Sequence, residues 1–315
     1  MNVKINVLYS GNKNSWPKYQ DCLNSAFKNN KLKVILKQEF DDPTIVDYII
    51  YAPNGPFYDF SIFPNVKAVL SLWAGVETIV SNPTLTQPLC RMVDEGLTNG
   101  MVEYIVGHTL RYHIGLDQQV SKQDGIWRHD TMIPTLANER NIGVIGLGSL
   151  GLACARQLKQ LNFNVSGWSR RKKKIRNIHC FSGQDGFNQV ISTSDILILL
   201  LPLTNVTENL INEKTLSKVK RGVNIINAGR GALIDDIALI SAIDCGQVAG
   251  ATLDVFKSEP LPSNHIFWKH EKVTVTPHIA AETRPETSSI IIAENIFRFE
   301  NNLKPLNLVD RVQGY

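Results

Sequence analysis

Residues 141–152 read Asn-Ile-Gly-Val-Ile-Gly-Leu-Gly-Ser-Leu-Gly-Leu, and Ala-Cys-Ala-Arg-Gln-Leu-Lys-Gln-Leu follows at 153–161. The apolar run up to Ile145 predicts a buried strand, Gly146, Gly148 and Gly151 a tight turn, and the residues beyond it a helix. In that context the first glycine permits the turn and the second lets backbone approach a diphosphate. The third lets helix and strand pack closely, while N–H groups at the helix start face the anion. Gly146, Leu147, Gly148, Ser149, Leu150 and Gly151 are therefore the predicted cradle of a dinucleotide.

Outward from this turn the same rhythm continues. Strand candidates follow at 164–168, 195–201, 223–227, 249–253 and 273–276, several apolar enough for a buried parallel sheet. Before it, β-rich runs at 4–9, 33–37, 46–51 and 67–72 alternate with helical stretches, and 100–120 is a long helix candidate. After Pro285, Ile291, Ile292, Ile296 and Phe299 return to helical spacing. The expected fold class is α/β, two Rossmann-like lobes with parallel sheets. A substrate-binding, flavodoxin-like domain of residues 1–99 and 285–315 is interrupted by an NAD(P)-binding Rossmann domain of residues 100–284.

The strand at 164–168 should end beside the adenosine ribose, where an NAD enzyme usually places Asp or Glu. Ser-Arg-Arg-Lys-Lys-Lys stands there instead. Ser169 can donate to a ribose 2'-phosphate, and Arg170 and Arg171 can form charge-assisted contacts with it, so NADPH is expected in preference to NADH. The competing reading is that Arg170 to Lys174 form a solvated charged loop.

Composition narrows the rest. The 315 residues are 43% hydrophobic and 20% charged, which suits a folded chain of two domains. A formal charge of +4 gives no reason to expect a nucleic-acid partner, and no apolar run approaches a bilayer span. Five scattered cysteines without a CxxC pair fit neither a disulfide framework nor a thiolate zinc site, and a cytoplasmic location is expected. No metal site is expected either, since His265 and His270 lack a clear third ligand.

Four further segments carry a resemblance: LPLTNVTENLIN at 201–212, NAGRG at 227–231, LDVFKSEPLP at 253–262 and TPHIAAET at 276–283. In order and spacing with GLGSLG, they resemble the D-isomer-specific 2-hydroxyacid dehydrogenase family over nearly the whole chain. SLWAGVE at 71–77, MVEY at 101–104, WSR at 168–170 and VDRVQGY at 309–315 are most similar to members that reduce glyoxylate and hydroxypyruvate. MVEY departs from the Asn-Ser/Thr start that the crossing helix has in many members of the wider family.

The resemblance implies reduction of small 2-oxo acids, glyoxylate to glycolate and hydroxypyruvate to D-glycerate, and a homodimer formed through the cofactor domain. It makes Arg230 the substrate-binding arginine, His278 the proton donor and Glu259 its carboxylate partner. Hydride addition to a ketone builds charge on oxygen, so the chemistry needs a fixed cation and an acid. A guanidinium stays charged and grips carboxylate in a planar fork. The resemblance also places Leu201, Pro202, Leu203, Ala228, Arg230 and Asp254 along the cofactor, and Trp73, Ala74 and Gly75 with Arg230 and His278 around the substrate. Trp127, on a polar loop, is placed near a partner subunit's site, though Leu201 and Leu203 read equally as core and Asp254 as a cap. A dinucleotide-sensing, non-catalytic interaction protein on the same scaffold is the rival function, and the complete Arg, Glu and His set argues against it.

Overall fold

The computed structural model describes residues 4–314; Met1–Val3 and Tyr315, the extremities of the expected discontinuous domain, lie outside the described residues. The chain divides into two compact units: residues up to Leu97 together with those from Glu282 onward, and Thr98–Ala281. Each has its own parallel sheet, which bears out the α/β reading.

In the first unit, strands β1 (Ile5–Ser10), β2 (Val34–Lys37), β3 (Tyr48–Tyr51), β4 (Ala68–Ser71) and β5 (Leu89–Cys90) lie in the order β2-β1-β3-β4-β5. That is the flavodoxin-like order. Successive side chains of a strand point to opposite faces. Accordingly Val7 and Tyr9 pack with Leu23, Phe27, Ile292 and Ile296, whereas Leu8 packs with Ile49, Phe60 and Val69. The first face is covered by helices Trp16–Asn29 and Pro285–Glu300, which pack on each other. Tyr48 clamps the second helix by donating to Glu300 Oε1 at 2.6 Å, and Lys67 reaches the same oxygen at 2.6 Å.

The second unit holds β6 (Asn141–Ile145), β7 (Asn164–Trp168), β8 (His179–Phe181), β9 (Ile196–Leu199), β10 (Val223–Asn227), β11 (Val248–Leu253) and β12 (Val273–Val275). Their order is β12-β11-β10-β9-β6-β7-β8, so the direction of winding reverses between β6 and β9. Ligands of such sheets bind outside the carboxyl ends of the strands at that reversal. Ile196 and Ile198 face one core with Val144 and Leu158, and Leu197 and Leu199 face the other with Val190 and Ile225.

Three details differ from the sequence reading. The helix expected over 100–120 runs from Glu95 to His113, and Gly115, at φ +67°, separates it from a short helix Leu116–Ser121. Its earlier start follows Asp94, whose Oδ1 accepts from the Leu97 amide at 3.1 Å in the manner of an N-cap. The strands β5 and β8, two and three residues long, are too short to carry a periodic signal. No helix of the described residues is long and apolar enough to cross a membrane.

Candidate active site

The glycine turn sits at the end of β6. Gly146 has φ +111°, a conformation L side chains rarely adopt, and a Cβ there would lie 2.4 Å from the Leu200 carbonyl oxygen. Helix Ser149–Gln160 then starts with Gly148 as its cap, which offers no side-chain acceptor to the first amides. A Cβ on Gly151 would come within 1.8 Å of the Gly146 carbonyl oxygen, whereas one on Gly148 would meet nothing within 4 Å. Unpaired helix amides beside open space form a cradle that fits a diphosphate.

The neighbouring strand end carries the basic run. Ser169 bonds through its amide to the Phe181 carbonyl at 3.1 Å and through its hydroxyl to the Arg171 carbonyl at 2.9 Å. Arg170 and Arg171 are exposed. Lys173, read from sequence as part of a solvated run, reaches back to donate to the Leu147 carbonyl inside the glycine turn.

The chemical groups come from the carboxyl ends of three adjacent strands, β10, β11 and β12. After β10, buried Asn227 accepts from the Gly229 amide at 3.1 Å and donates to the Arg230 carbonyl at 3.0 Å, tying the turn that presents Arg230. Gly231 allows this turn to approach the loop after β11, since a Cβ there would lie 2.0 Å from the Phe256 carbonyl carbon. In that loop, Glu259 Oε1 accepts from the Phe256 amide at 2.8 Å and Oε2 contacts His278 Nδ1 at 2.7 Å. The carboxylate is thus aimed at the ring by backbone, and with Nδ1 so committed the imidazole presents Nε2.

His278 lies just past β12 with φ +55°. A left-handed conformation costs a non-glycine residue about 1–2 kcal/mol, so the surroundings must hold it. Asp254 does so: Oδ1 accepts from the Thr276 hydroxyl at 2.6 Å and the Ile279 amide at 2.9 Å, and Oδ2 from the Ala280 amide at 2.8 Å. Asp254 is 1% exposed. Its visible work is therefore to brace the His278 loop.

The other sequence-derived residues are placed as follows. Leu201, Pro202 and Leu203 follow β9 half-buried, with the Thr207 hydroxyl on the Pro202 carbonyl at 2.8 Å, and Ala228 is buried after β10. Trp73, Ala74 and Gly75 belong to the first unit, after β4, where the Trp73 amide donates to Ser71 Oγ at 3.1 Å. His265 faces Asp236 at 3.7 Å and His270 faces Asp244 at 3.2 Å.

Residues 104–280 match the family model described as D-isomer specific 2-hydroxyacid dehydrogenase, NAD binding domain. The chain belongs to this dehydrogenase family. Among similar proteins, the glyoxylate/hydroxypyruvate reductase A of Yersinia enterocolitica is 40% identical over 258 residues, covering 79% of this chain and 82% of that protein. A D-isomer specific 2-hydroxyacid dehydrogenase from Xanthobacter autotrophicus, solved with NADPH and MES, superposes with TM-score 0.91 at 33% identity, covering 99% of this chain and 100% of that one. The NADPH-dependent glyoxylate/hydroxypyruvate reductase of Sinorhizobium meliloti, solved with NADP and sulfate, gives TM-score 0.84 at 31% identity over 99% of both chains. The family resemblance read from the motifs is thereby borne out.

Sequence reasoning passed over two side chains that this dehydrogenase ties to the His278 loop. Thr276 stands in the sequence only as the first residue of TPHIAAET, and Tyr104 only as the last of MVEY. The Tyr104 hydroxyl lies 2.7 Å from Thr276 Oγ1 across 172 positions of chain, a separation that no local pattern reveals.

Proposed function

We propose that this chain catalyses the NADPH-dependent reduction of glyoxylate and hydroxypyruvate. The observation that carries the reading is the Phe256–Glu259–His278 chain, in which a backbone amide aims a carboxylate and the carboxylate aims an imidazole. The family membership and the named relatives support it. When bound, the reduced nicotinamide supplies a hydride to the substrate carbon. Arg230 binds the substrate carboxylate and draws charge toward the carbonyl oxygen. His278 delivers a proton from Nε2 to that oxygen, while Glu259 stabilises the charged ring through Nδ1. The glycine turn holds the diphosphate, and Ser169, Arg170 and Arg171 hold the 2'-phosphate. In the reverse direction the same imidazole accepts the proton.

The stretch 120–136 of the second unit exposes Val120, Ile126, Trp127, Ile133 and Leu136, with Trp127 91% exposed. Exposed large apolar side chains along one segment favour association, and a homodimer through the cofactor unit is proposed as what covers them. The five cysteines are all free, which supports a cytoplasmic setting.

The deciding experiment follows nicotinamide absorbance with glyoxylate, hydroxypyruvate, pyruvate and an aromatic 2-oxo acid, each with NADPH and NADH, for wild type and His278→Ala. Turnover with the two small substrates and NADPH, lost in the variant, is expected. Tight NADPH binding with no turnover on any substrate would instead favour the non-catalytic sensor.

A further inference from the structure

We infer that Tyr104 is a positioning residue for His278, acting through a hydrogen-bond relay that runs Tyr104, Thr276, Asp254 and then the backbone of the His278 loop. The inference rests on the reading of His278 as proton donor. The Thr276 hydroxyl has one proton, and it is donated to Asp254 Oδ1 at 2.6 Å. At the 2.7 Å contact with Tyr104 the threonine oxygen must therefore accept, and the phenol donates. Burial pushes the Tyr104 phenol well above its ordinary range, so it remains a donor throughout the working pH range.

The two hydroxyls donate in sequence toward the Asp254 carboxylate, which also accepts from the two amides that follow His278, Ile279 on Oδ1 and Ala280 on Oδ2. On the other side of the histidine, Thr276 accepts the His278 amide through its carbonyl at 3.0 Å. The backbone amides at and just after His278 are thus held by Thr276 and Asp254. Hydrogen bonds in series polarise one another, so a phenol donating to the threonine strengthens the threonine's bond to the carboxylate. The phenol is itself fixed by its helix, Glu95–His113, and by the ring of His108, tilted 51° to it with centroids 4.4 Å apart. Burial lowers the affinity of that imidazole for a proton, which keeps it a neutral packing partner.

Tyr104→Phe removes one oxygen and leaves the ring in place. It should lower kcat for glyoxylate about tenfold, a loss typical of an interaction in a buried network, with the KM for NADPH unchanged. Thr276→Val should lose at least as much, Thr276→Ser should retain activity, and Tyr104→Phe combined with Thr276→Val should be no worse than Thr276→Val alone. A kcat within twofold of wild type for Tyr104→Phe, additive losses in the double variant, or equal activity of Thr276→Val and Thr276→Ser would overturn the relay. If Tyr104→Phe does not fold, the two threonine variants decide by themselves. An active His278→Ala would remove the reading beneath the inference, whereas a dead His278→Ala beside an unaffected Tyr104→Phe would remove the inference alone.

Discussion

Gly148→Ala and Gly151→Ala differ by three positions in one turn, yet they should fail in different assays. At Gly151 the added methyl would sit 1.8 Å from the Gly146 carbonyl oxygen, well under the 3.0 Å that real Cβ atoms respect. The obstacle is backbone, so no rotamer change relieves it, and the helix must retreat from β6. Overpacking of this kind costs about 3 kcal/mol or more. For a unit of this size that corresponds to a fall in melting temperature of roughly 6–12 °C. At Gly148 the backbone has φ −68°, which alanine adopts freely, and the methyl has no neighbour within 4 Å. Its melting temperature should therefore match wild type. The methyl would occupy space assigned to the diphosphate, and losing charge-assisted bonds worth about 1.5–3 kcal/mol should raise the NADPH dissociation constant roughly 10- to 100-fold. Thermal melts with and without NADPH, together with a fluorescence titration, separate the two effects. Wild-type NADPH affinity in Gly148→Ala would refute the cradle, and equal destabilisation of both variants would refute the steric argument.

Glu259→Gln keeps an acceptor for the Phe256 amide but removes the charge facing His278. Because the pair is partly exposed, the low end of the range for a charged hydrogen bond applies, and steady-state kinetics should show kcat falling about tenfold at constant NADPH KM. Arg170→Ala should raise the NADPH KM about tenfold and leave the NADH KM alone; a proportional rise for both cofactors would return the arginine to the solvated loop. Trp127→Ser combined with Ile133→Asp should convert a dimer to a monomer in light scattering, and an unchanged mass would clear the 120–136 stretch of any role in association.

The elements that were legible were those whose signal is local. The turn at Gly146 to Gly151 could be read because strand, glycines and helix are consecutive, and Asn141–Ile145, Asn164–Trp168 and Val223–Asn227 appear as strands with the bounds their apolar runs suggest. The long helix was misplaced because its first turn, Glu-Gly-Leu-Thr-Asn, has little apolar periodicity and is set by Asp94. At the site, residue types announced themselves at Arg230, Glu259 and His278, but their supports did not. Phe256 acts through an amide, which its side chain cannot advertise, and Asp254 reaches the Thr276, Ile279 and Ala280 groups only after β11 and β12 pair.

The interrupted first unit has a consequence for the order in which the protein matures. Thr98–Ala281 is continuous, so every strand of its sheet is synthesised without interruption by the other unit. The older sheet has no such advantage. Its strands are made before that unit, yet the helix that seals Val7, Tyr9 and Leu70 is made after it, and Tyr48 waits 252 positions for Glu300. Nascent chains would therefore carry an uncovered apolar flank while the whole second unit is made, a period in which chaperone capture competes with aggregation.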